Sequence, residues 1–390
     1  MVFLNRIVRA GISSSSRNKI IKCRAAVAWE PGAPLQIEDI EVSPPQSNEV
    51  RIKITHTSLC QTDITFWQNK GMKHLFPRIF GHEAAGIVES VGEGVSNLCE
   101  GDHVIPIFTG ECSDCKYCKS QKTNLCGSLR VNPEYAGVYG GDGTRFKQGS
   151  VEISHFMGTS TFSQYTVVNK GCLVKVPKRA PLDKVCLLSC GITTGVGAVW
   201  NVAKLQKDDT VAIFGLGTVG LAIAQAAKLS GASRIIGVDI NSEKHELGKQ
   251  FGITDFLNPL DHDRPIQEVI MELCQGGVDY SFECIGSAAL MQAAFESTHN
   301  AWGVTIVAGV PSGPGTLSTD PVKLLFGHSL KGTIFGGYKP SQIHELVEKY
   351  MRKEIKVDEF VTHTLPFEKI NDAIQLLMRA QCLRCVVSMH

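Results

Sequence analysis

Three hundred and ninety residues are enough for two or three domains, and 43% hydrophobic with 20% charged residues is the balance of an ordinary soluble globular chain. Lys+Arg of 39 against Asp+Glu of 38 leave a formal net charge of +1, which excludes the basic excess of a nucleic-acid or anionic-membrane binder. The unusual count is 14 cysteines, and their spacing has to choose between disulfides, metal ligation and reduced thiols.

Residues 1–20 form a basic extension. Before Glu30 the chain carries Arg6, Arg9, Arg17, Lys19, Lys22 and Arg24, no acid, and the run Ser13–Ser16. That is transit-peptide chemistry in outline. The plainer expectation is a basic N-terminus on a cytoplasmic protein, with organelle import as the alternative. No signal-peptide hydrophobic region is present, which disfavours secretion and disulfides. From Arg24 to Ile107 the pattern is short β-type runs, such as Val50–Ile54 and Ala85–Val91, separated by glycine turns. This part reads as a twisted antiparallel barrel or sandwich. Thr109–Gly149 is polar, glycine-rich and crowded with cysteine, so a lobe rather than core.

Val185–Ala203 and Thr210–Ala227 are uncharged but interrupted by glycines, and read as core elements rather than membrane spans. From Thr210 strands alternate with helices: a strand at Thr210–Phe214, a helix at Thr218–Ser230, a strand at Arg234–Asp239, a helix at Ser242–Phe251, then strands at Val278–Cys284 and Val304–Ala308. Such alternation implies a parallel doubly wound sheet. The expected class is therefore α/β, with a doubly wound parallel sheet at 190–334 inserted into a mainly antiparallel β domain made of 21–189 and 335–390.

Cys112, Cys115, Cys118 and Cys126 put four thiols within one short loop. Four thiolates so spaced can surround one tetrahedral zinc with no open position, as a structural site requires. An iron–sulfur cluster is the competing reading, although the spacing matches neither common ferredoxin run. Farther on, Gly215-Leu216-Gly217-Thr218-Val219-Gly220 lies between a buried strand and a helix. The first glycine permits a tight turn, the second lets backbone approach a pyrophosphate, and the third packs helix on strand. Asp239 closes the next strand, where a carboxylate accepts from an adenosine ribose and repels a 2′-phosphate, favouring NAD over NADP. The bland alternative is a glycine turn without a ligand.

Cys60, His82 and Cys190 stand apart in sequence, and spacing alone does not join them. Gly81-His82-Glu83-Ala84, the four-cysteine lobe, Gly158-Thr159-Ser160-Thr161-Phe162-Ser163, Leu188-Ser189-Cys190-Gly191 and the Gly215 turn nevertheless occur in one order. In these motifs, from about Lys22 to the C-terminus, the chain resembles the zinc-dependent medium-chain alcohol dehydrogenases, most closely their plant branch. The resemblance implies a GroES-like catalytic domain around a Rossmann domain, two zinc ions per chain, NAD and a homodimer. It implies that Cys60, His82 and Cys190 hold the catalytic zinc, a Cys₂His set that leaves a fourth position open. Asp63 then orients His82, Glu83 is the nearby acid, and Thr62 accepts the alcohol proton. Thr194, Lys244 and Arg384 are carried over as coenzyme contacts, and Phe108, Phe156, Ala308 and Val310 as the apolar pocket wall, fitting a slim primary alcohol.

Two positions depart from the family pattern. Gln61 stands where Arg or His is common near the pyrophosphate, and Thr65 where some relatives carry a relay histidine. The implied reaction is reversible oxidation of a small alcohol to the aldehyde or ketone. A non-redox lyase of the hydroxynitrile lyase kind on the same scaffold is the alternative. The dimer seam is expected at Val304–Val310, as an apolar sheet edge that needs covering.

Overall fold

Two antiparallel-rich sheets and one parallel sheet organise residues 19–311, 313 and 315–390, the part of the chain described by this computed structural model. Residues 1–18, most of the basic extension, lie outside it. The first sheet has five strands, Ile21–Ala28, Gln36–Val42, Arg78–Ile79, Phe146–Gln148 and Val151–Ile153. The second has seven, and its centre is Glu49–Ser58, which pairs antiparallel with Glu83–Val91, with Tyr165–Asn169 and with Arg384–Ser388. The C-terminal strand therefore lies in the same sheet as strands from the first hundred residues, Val386 facing Ser58. Val50, Ile52 and Ile54 are buried as the period-two pattern requires, but so are Glu49 and Arg51.

Buried arginines hold the polar stretch between these strands. Arg145 donates through Nε and Nη2 to Glu49 at 2.8 and 2.6 Å, through Nη2 to Gln46 at 2.7 Å, and through Nη1 to the Asp142 carbonyl at 2.6 Å. Arg78 donates to the carbonyls of His155, Pro133 and Tyr135 at 2.8, 2.7 and 3.1 Å. Burial pulls the Arg78 guanidinium down to about 10. Residues 128–146 thus add charged hydrogen bonds to the burial of Leu129, Val138, Tyr139 and Phe146, and both tie this polar stretch to the barrel.

The third sheet is fully parallel, with strands in the order Asp255–Leu257, Arg234–Val238, Thr210–Phe214, Tyr280–Glu283, Val304–Val307, Ser329–Gly332. Numbered along the chain this is 3-2-1-4-5-6, the doubly wound order whose ligand crevice opens at the carboxyl ends beside the first strand. Helix Thr218–Leu229 starts there; Gly220 follows from the packing, since a Cβ on it would lie 1.9 Å from the Gly215 carbonyl oxygen.

The sheet corrects the expected seam. Val304–Val307 is an interior strand, hydrogen-bonded to Tyr280–Glu283 on one side and Ser329–Gly332 on the other. Its apolarity comes from burial within a parallel sheet, not from an uncovered edge. The sheet's edges are Asp255–Leu257 and, on the side of Val304–Val307, Ser329–Gly332. Val185–Ala203 is broken into short helical pieces bent by 54° at Cys190, and no single helix among the described residues is long and apolar enough to cross a membrane.

Candidate metal centres and coenzyme crevice

Cys60 is the N-cap of helix Gln61–Trp67, His82 precedes strand Glu83–Val91, and Cys190 is the N-cap of helix Gly191–Gly197. Packing of these three elements brings the ligand atoms of Cys60, His82, Glu83 and Cys190 within 4.8 Å of one another. All four side chains are buried. Asp63 fixes the cluster. One carboxylate oxygen faces His82 Nδ1 at 3.0 Å and accepts from the Gly81 N–H at 3.1 Å, while the other accepts from the Cys60 N–H at 3.1 Å. With Nδ1–H committed to Asp63, the lone pair of His82 sits on Nε2, which is buried and has no hydrogen-bond partner. An orphaned imidazole nitrogen beside two thiols is a donor set that suits zinc.

Glu83 is engaged elsewhere. Arg384 donates to both of its carboxylate oxygens at 2.8 Å, and the Gly191 N–H adds a 3.2 Å contact. The same guanidinium reaches Cys60 Sγ at 3.5 Å and Thr218 Oγ1 at 2.8 Å. Burial opposes its charge, and Glu83 with Cys60 more than restores it. A hydrogen bond with Cys190 holds the Cys60 thiol well below its usual range, against burial and with help from Arg384, and the Cys190 thiol is correspondingly pushed up.

The second group, Cys112, Cys115, Cys118 and Cys126, also has its sulfurs within 4.8 Å of one another. Backbone N–H groups point at them: Cys115 N to Cys112 Sγ at 3.4 Å, Cys118 N and Gly127 N to Cys115 Sγ at 3.4 and 3.3 Å, and Leu129 N to Cys126 Sγ at 3.2 Å. These donors pull the Cys115 thiol down to about 6. Four unpaired thiols in a nest of donors fit one closed metal site.

At the crevice, Gly215 has φ +95°, and a Cβ on Gly217 would meet nothing within 4 Å, leaving open space over the helix N-terminus. Asp239 accepts from the Leu216 and Asn241 N–H groups at 2.8 and 2.9 Å, which fixes its carboxylate at the strand end. Lys244 opens the next helix, Val219 lies in the first turn after Thr218, and Thr194 spends its hydroxyl on the Cys190 carbonyl at 2.8 Å. Sequence reasoning missed two apolar side chains here. Ile240 is 67% and Ile285 51% exposed, each just past the end of a strand flanking the glycine turn. Apolar residues at that position, where the sheet order reverses, were the available signal.

Thr62 Oγ1 lies 3.8 Å from Cys60 Sγ, and Thr65 donates to the Gln61 carbonyl at 3.0 Å. Gln61 is exposed. The rings of Phe108 and Phe156 stand edge-on to His82, with centroids 5.5 and 6.1 Å away. Phe335 packs on Phe108 at 5.4 Å, a contact that no motif announced. Ala308 and Val310 follow strand Val304–Val307 instead, the former bonded to the Glu283 carbonyl and the latter half-exposed beside Gly286.

Comparison with known proteins agrees with this geometry. Residues 46–178 match the model of the alcohol dehydrogenase GroES-like domain, and residues 218–352 that of the zinc-binding dehydrogenases. An alcohol dehydrogenase of Malus domestica is 57% identical over 379 residues, covering 97% of this chain and 100% of that protein. The class-P alcohol dehydrogenase of Arabidopsis thaliana is 54% identical over 376 residues, covering 96% and 99%. The crystal structure of benzyl alcohol dehydrogenase from Acinetobacter calcoaceticus superimposes with a TM-score of 0.85 at 30% identity, covering 95% of this chain and 100% of that one. The chain belongs to the zinc-dependent medium-chain alcohol dehydrogenases, in their plant branch.

Proposed function

We propose that Cys60, His82 and Cys190 hold the catalytic zinc, that the four lobe cysteines hold a structural one, and that the Gly215–Gly220 turn with Asp239 holds NAD. The chemistry of the family, zinc- and NAD-dependent interconversion of an alcohol with its aldehyde or ketone, is that of this enzyme. The lyase alternative has no support, because the full-length relatives are alcohol dehydrogenases. The observation that carries the residue assignment is the unpartnered Nε2 of His82, buried between two thiols and oriented by Asp63.

Zinc, when bound, supplies Lewis acidity towards a substrate oxygen, and NAD supplies the hydride acceptor. The protein side of the reaction is positioning. Asp63 holds His82 in one tautomer. Thr62, two residues from Cys60, presents a hydroxyl that would accept the alcohol proton while passing its own on towards the nicotinamide ribose. Arg384, already bridging Glu83 and Thr218, puts a fixed positive charge at the start of the coenzyme helix, where a pyrophosphate is favoured. Thr194 and Lys244 complete our coenzyme set, with Ile240 and Ile285 as the apolar faces for a purine. Phe108 and Phe156, together with Ala308 and Val310 at the coenzyme end, form the pocket wall. Their bulk favours a slim primary alcohol. A panel of primary and secondary alcohols and aldehydes run with NAD and with NADP tests this reading. Turnover confined to secondary alcohols, or a preference for NADP, would overturn it.

Residues 21–189 and 335–390 make up our catalytic domain, and 190–334 the coenzyme domain. We infer a homodimer joined along the Ser329–Gly332 edge. Leu325 and Phe326, 83% and 64% exposed, lie just before that strand, and a second copy would cover both the open edge and the apolar side chains. Leu325→Glu with Phe326→Glu should yield monomers in sedimentation; persistence of the dimer argues for another seam. A cytoplasmic location fits 14 unpaired cysteines, which call for a reducing compartment. A fluorescent fusion of residues 1–20 tests the import alternative.

A further inference from the structure

Segment Ile334–Ser341 runs from the coenzyme sheet back to the barrel, and three features meet on it. First, its backbone is strained. Phe335, Gly336 and Gly337 have φ of +57°, +61° and +72°, and a left-handed conformation is costly for a bulky aromatic such as Phe335. Second, Gly336 is wedged against helix Gly191–Gly197, where a Cβ would lie 2.6 Å from the carbonyls of both Thr193 and Thr194. The adjoining Asn201 donates to the Gly336 carbonyl at 3.1 Å. Third, the four-cysteine lobe grips both ends of the strained turn. Asn124, two residues before Cys126 and 9% exposed, donates to the carbonyls of Ile334 and Tyr338 at 2.9 and 3.0 Å. Lys339 returns the contact, donating to the carbonyls of Cys118 and Ser120 at 2.6 and 2.8 Å, and the Ser341 N–H donates to Glu111 at 3.0 Å.

The held turn carries Phe335, 1% exposed, whose ring meets Phe108 at 5.4 Å and an interplanar angle of 76°. Phe108 in turn stands edge-on to His82. We propose that the Asn124–Lys339 clasp makes the cysteine lobe a specificity element: by holding Phe335 in its left-handed conformation it fixes the aromatic wall of the alcohol pocket. Asn124 and Lys339 are positioning residues that act through Phe335 and touch no substrate. The structure supports this over a purely stabilising lobe because both Asn124 bonds end on the carbonyls that bracket the strained aromatic. A lobe needed only for stability has no reason to spend a buried amide there. The proposal rests on the pocket reading given above, in which Phe108 lines the substrate channel.

The test is kcat and KM for ethanol and for a branched secondary alcohol, measured on the zinc-loaded full-length enzyme as wild type, Phe335→Ala, Asn124→Ala and the double variant. Zinc per chain is determined on the same samples. If the clasp acts through Phe335, Asn124→Ala keeps two zinc ions and a kcat for ethanol within about twofold. It raises the ethanol KM and shifts kcat/KM towards the branched alcohol by about tenfold, in the direction of Phe335→Ala. The double variant then shifts no further than Phe335→Ala alone, because the two substitutions act on one element. A wild-type preference ratio in Asn124→Ala, or additive shifts in the double variant, overturns the clasp while leaving the pocket reading intact. No shift in Phe335→Ala overturns the clasp, because Phe335 then sets no preference; the same panel on Phe108→Ala tests the pocket reading, which a wild-type ratio there overturns. If Asn124→Ala does not fold, Lys339→Met, which leaves Asn124 in place, is measured by the same criteria.

Discussion

Asp63 Oδ1 stands 3.0 Å from His82 Nδ1, and that one contact decides which imidazole nitrogen faces the Cys60 and Cys190 thiols. The carboxylate has no freedom to do otherwise, since the N–H groups of Cys60 and Gly81 hold its two oxygens. Asp63→Asn can present its amide nitrogen to Nδ1 and favour the wrong tautomer. Metal affinity at this site should fall by about 10- to 100-fold, as for other carboxylates behind a histidine ligand. Chelator competition followed by metal analysis reads this directly: the variant should lose one zinc while the lobe keeps its own. Equal retention of both zinc ions would remove Asp63 from this role.

Gln61, exposed at the first turn of the helix that Cys60 caps, is a neutral amide at a position that the family resemblance implies lies near the pyrophosphate. Gln61→Arg should tighten NADH by about 1 kcal/mol, roughly fivefold in Kd, chiefly through a slower off-rate. Stopped-flow displacement of NADH gives that rate. An unchanged Kd and off-rate would show that Gln61 does not face the coenzyme.

The carboxylate of Asp239 should set the choice of coenzyme, since its position at the strand end is held by two backbone N–H groups. Removing the charge with Asp239→Ser should weaken NAD and improve NADP, moving the ratio of their kcat/KM values by at least about tenfold. If the ratio stays at the wild-type value, the ribose does not lie on this residue.

Arg145 and Glu49 form a buried bidentate pair, their side chains only 3% and 1% exposed. Arg145→Met strands the Glu49 carboxylate and should cost about 3–5 kcal/mol, measured as a drop in the urea midpoint. Adding Glu49→Gln should recover part of the loss, because the stranded charge goes with it. A loss of under about 1 kcal/mol in the single variant would mean that water reaches the pair.

Much of this architecture was legible in the chain. Thr210–Phe214 with its glycine turn could be read locally, because strand period, turn glycines and the following helix all lie within twenty residues. The four lobe cysteines could be read for the same reason. Cys60, His82 and Cys190 could not be joined by spacing, since tertiary packing of two helix N-caps and a strand start brings them together. Only family motifs linked them. The seam went wrong for a physical reason. Val304–Val307 is apolar because strands lie on both sides of it, whereas the edge on that side, Ser329–Gly332, carries a lysine and a serine, as edges that avoid indiscriminate pairing do. Phe335 was invisible because its importance lies in a left-handed backbone and a distant asparagine, neither of which leaves a local pattern.

Zinc per chain, measured alongside NADH formation in wild type and Cys190→Ala, tests the central claim most directly. Two zinc ions with alcohol-dependent NADH formation in wild type, and one zinc with no turnover in the variant, are the predicted results. One zinc per chain in an active wild type, or alcohol oxidation surviving in Cys190→Ala, would contradict the assignment of Cys60, His82 and Cys190 as the catalytic metal centre.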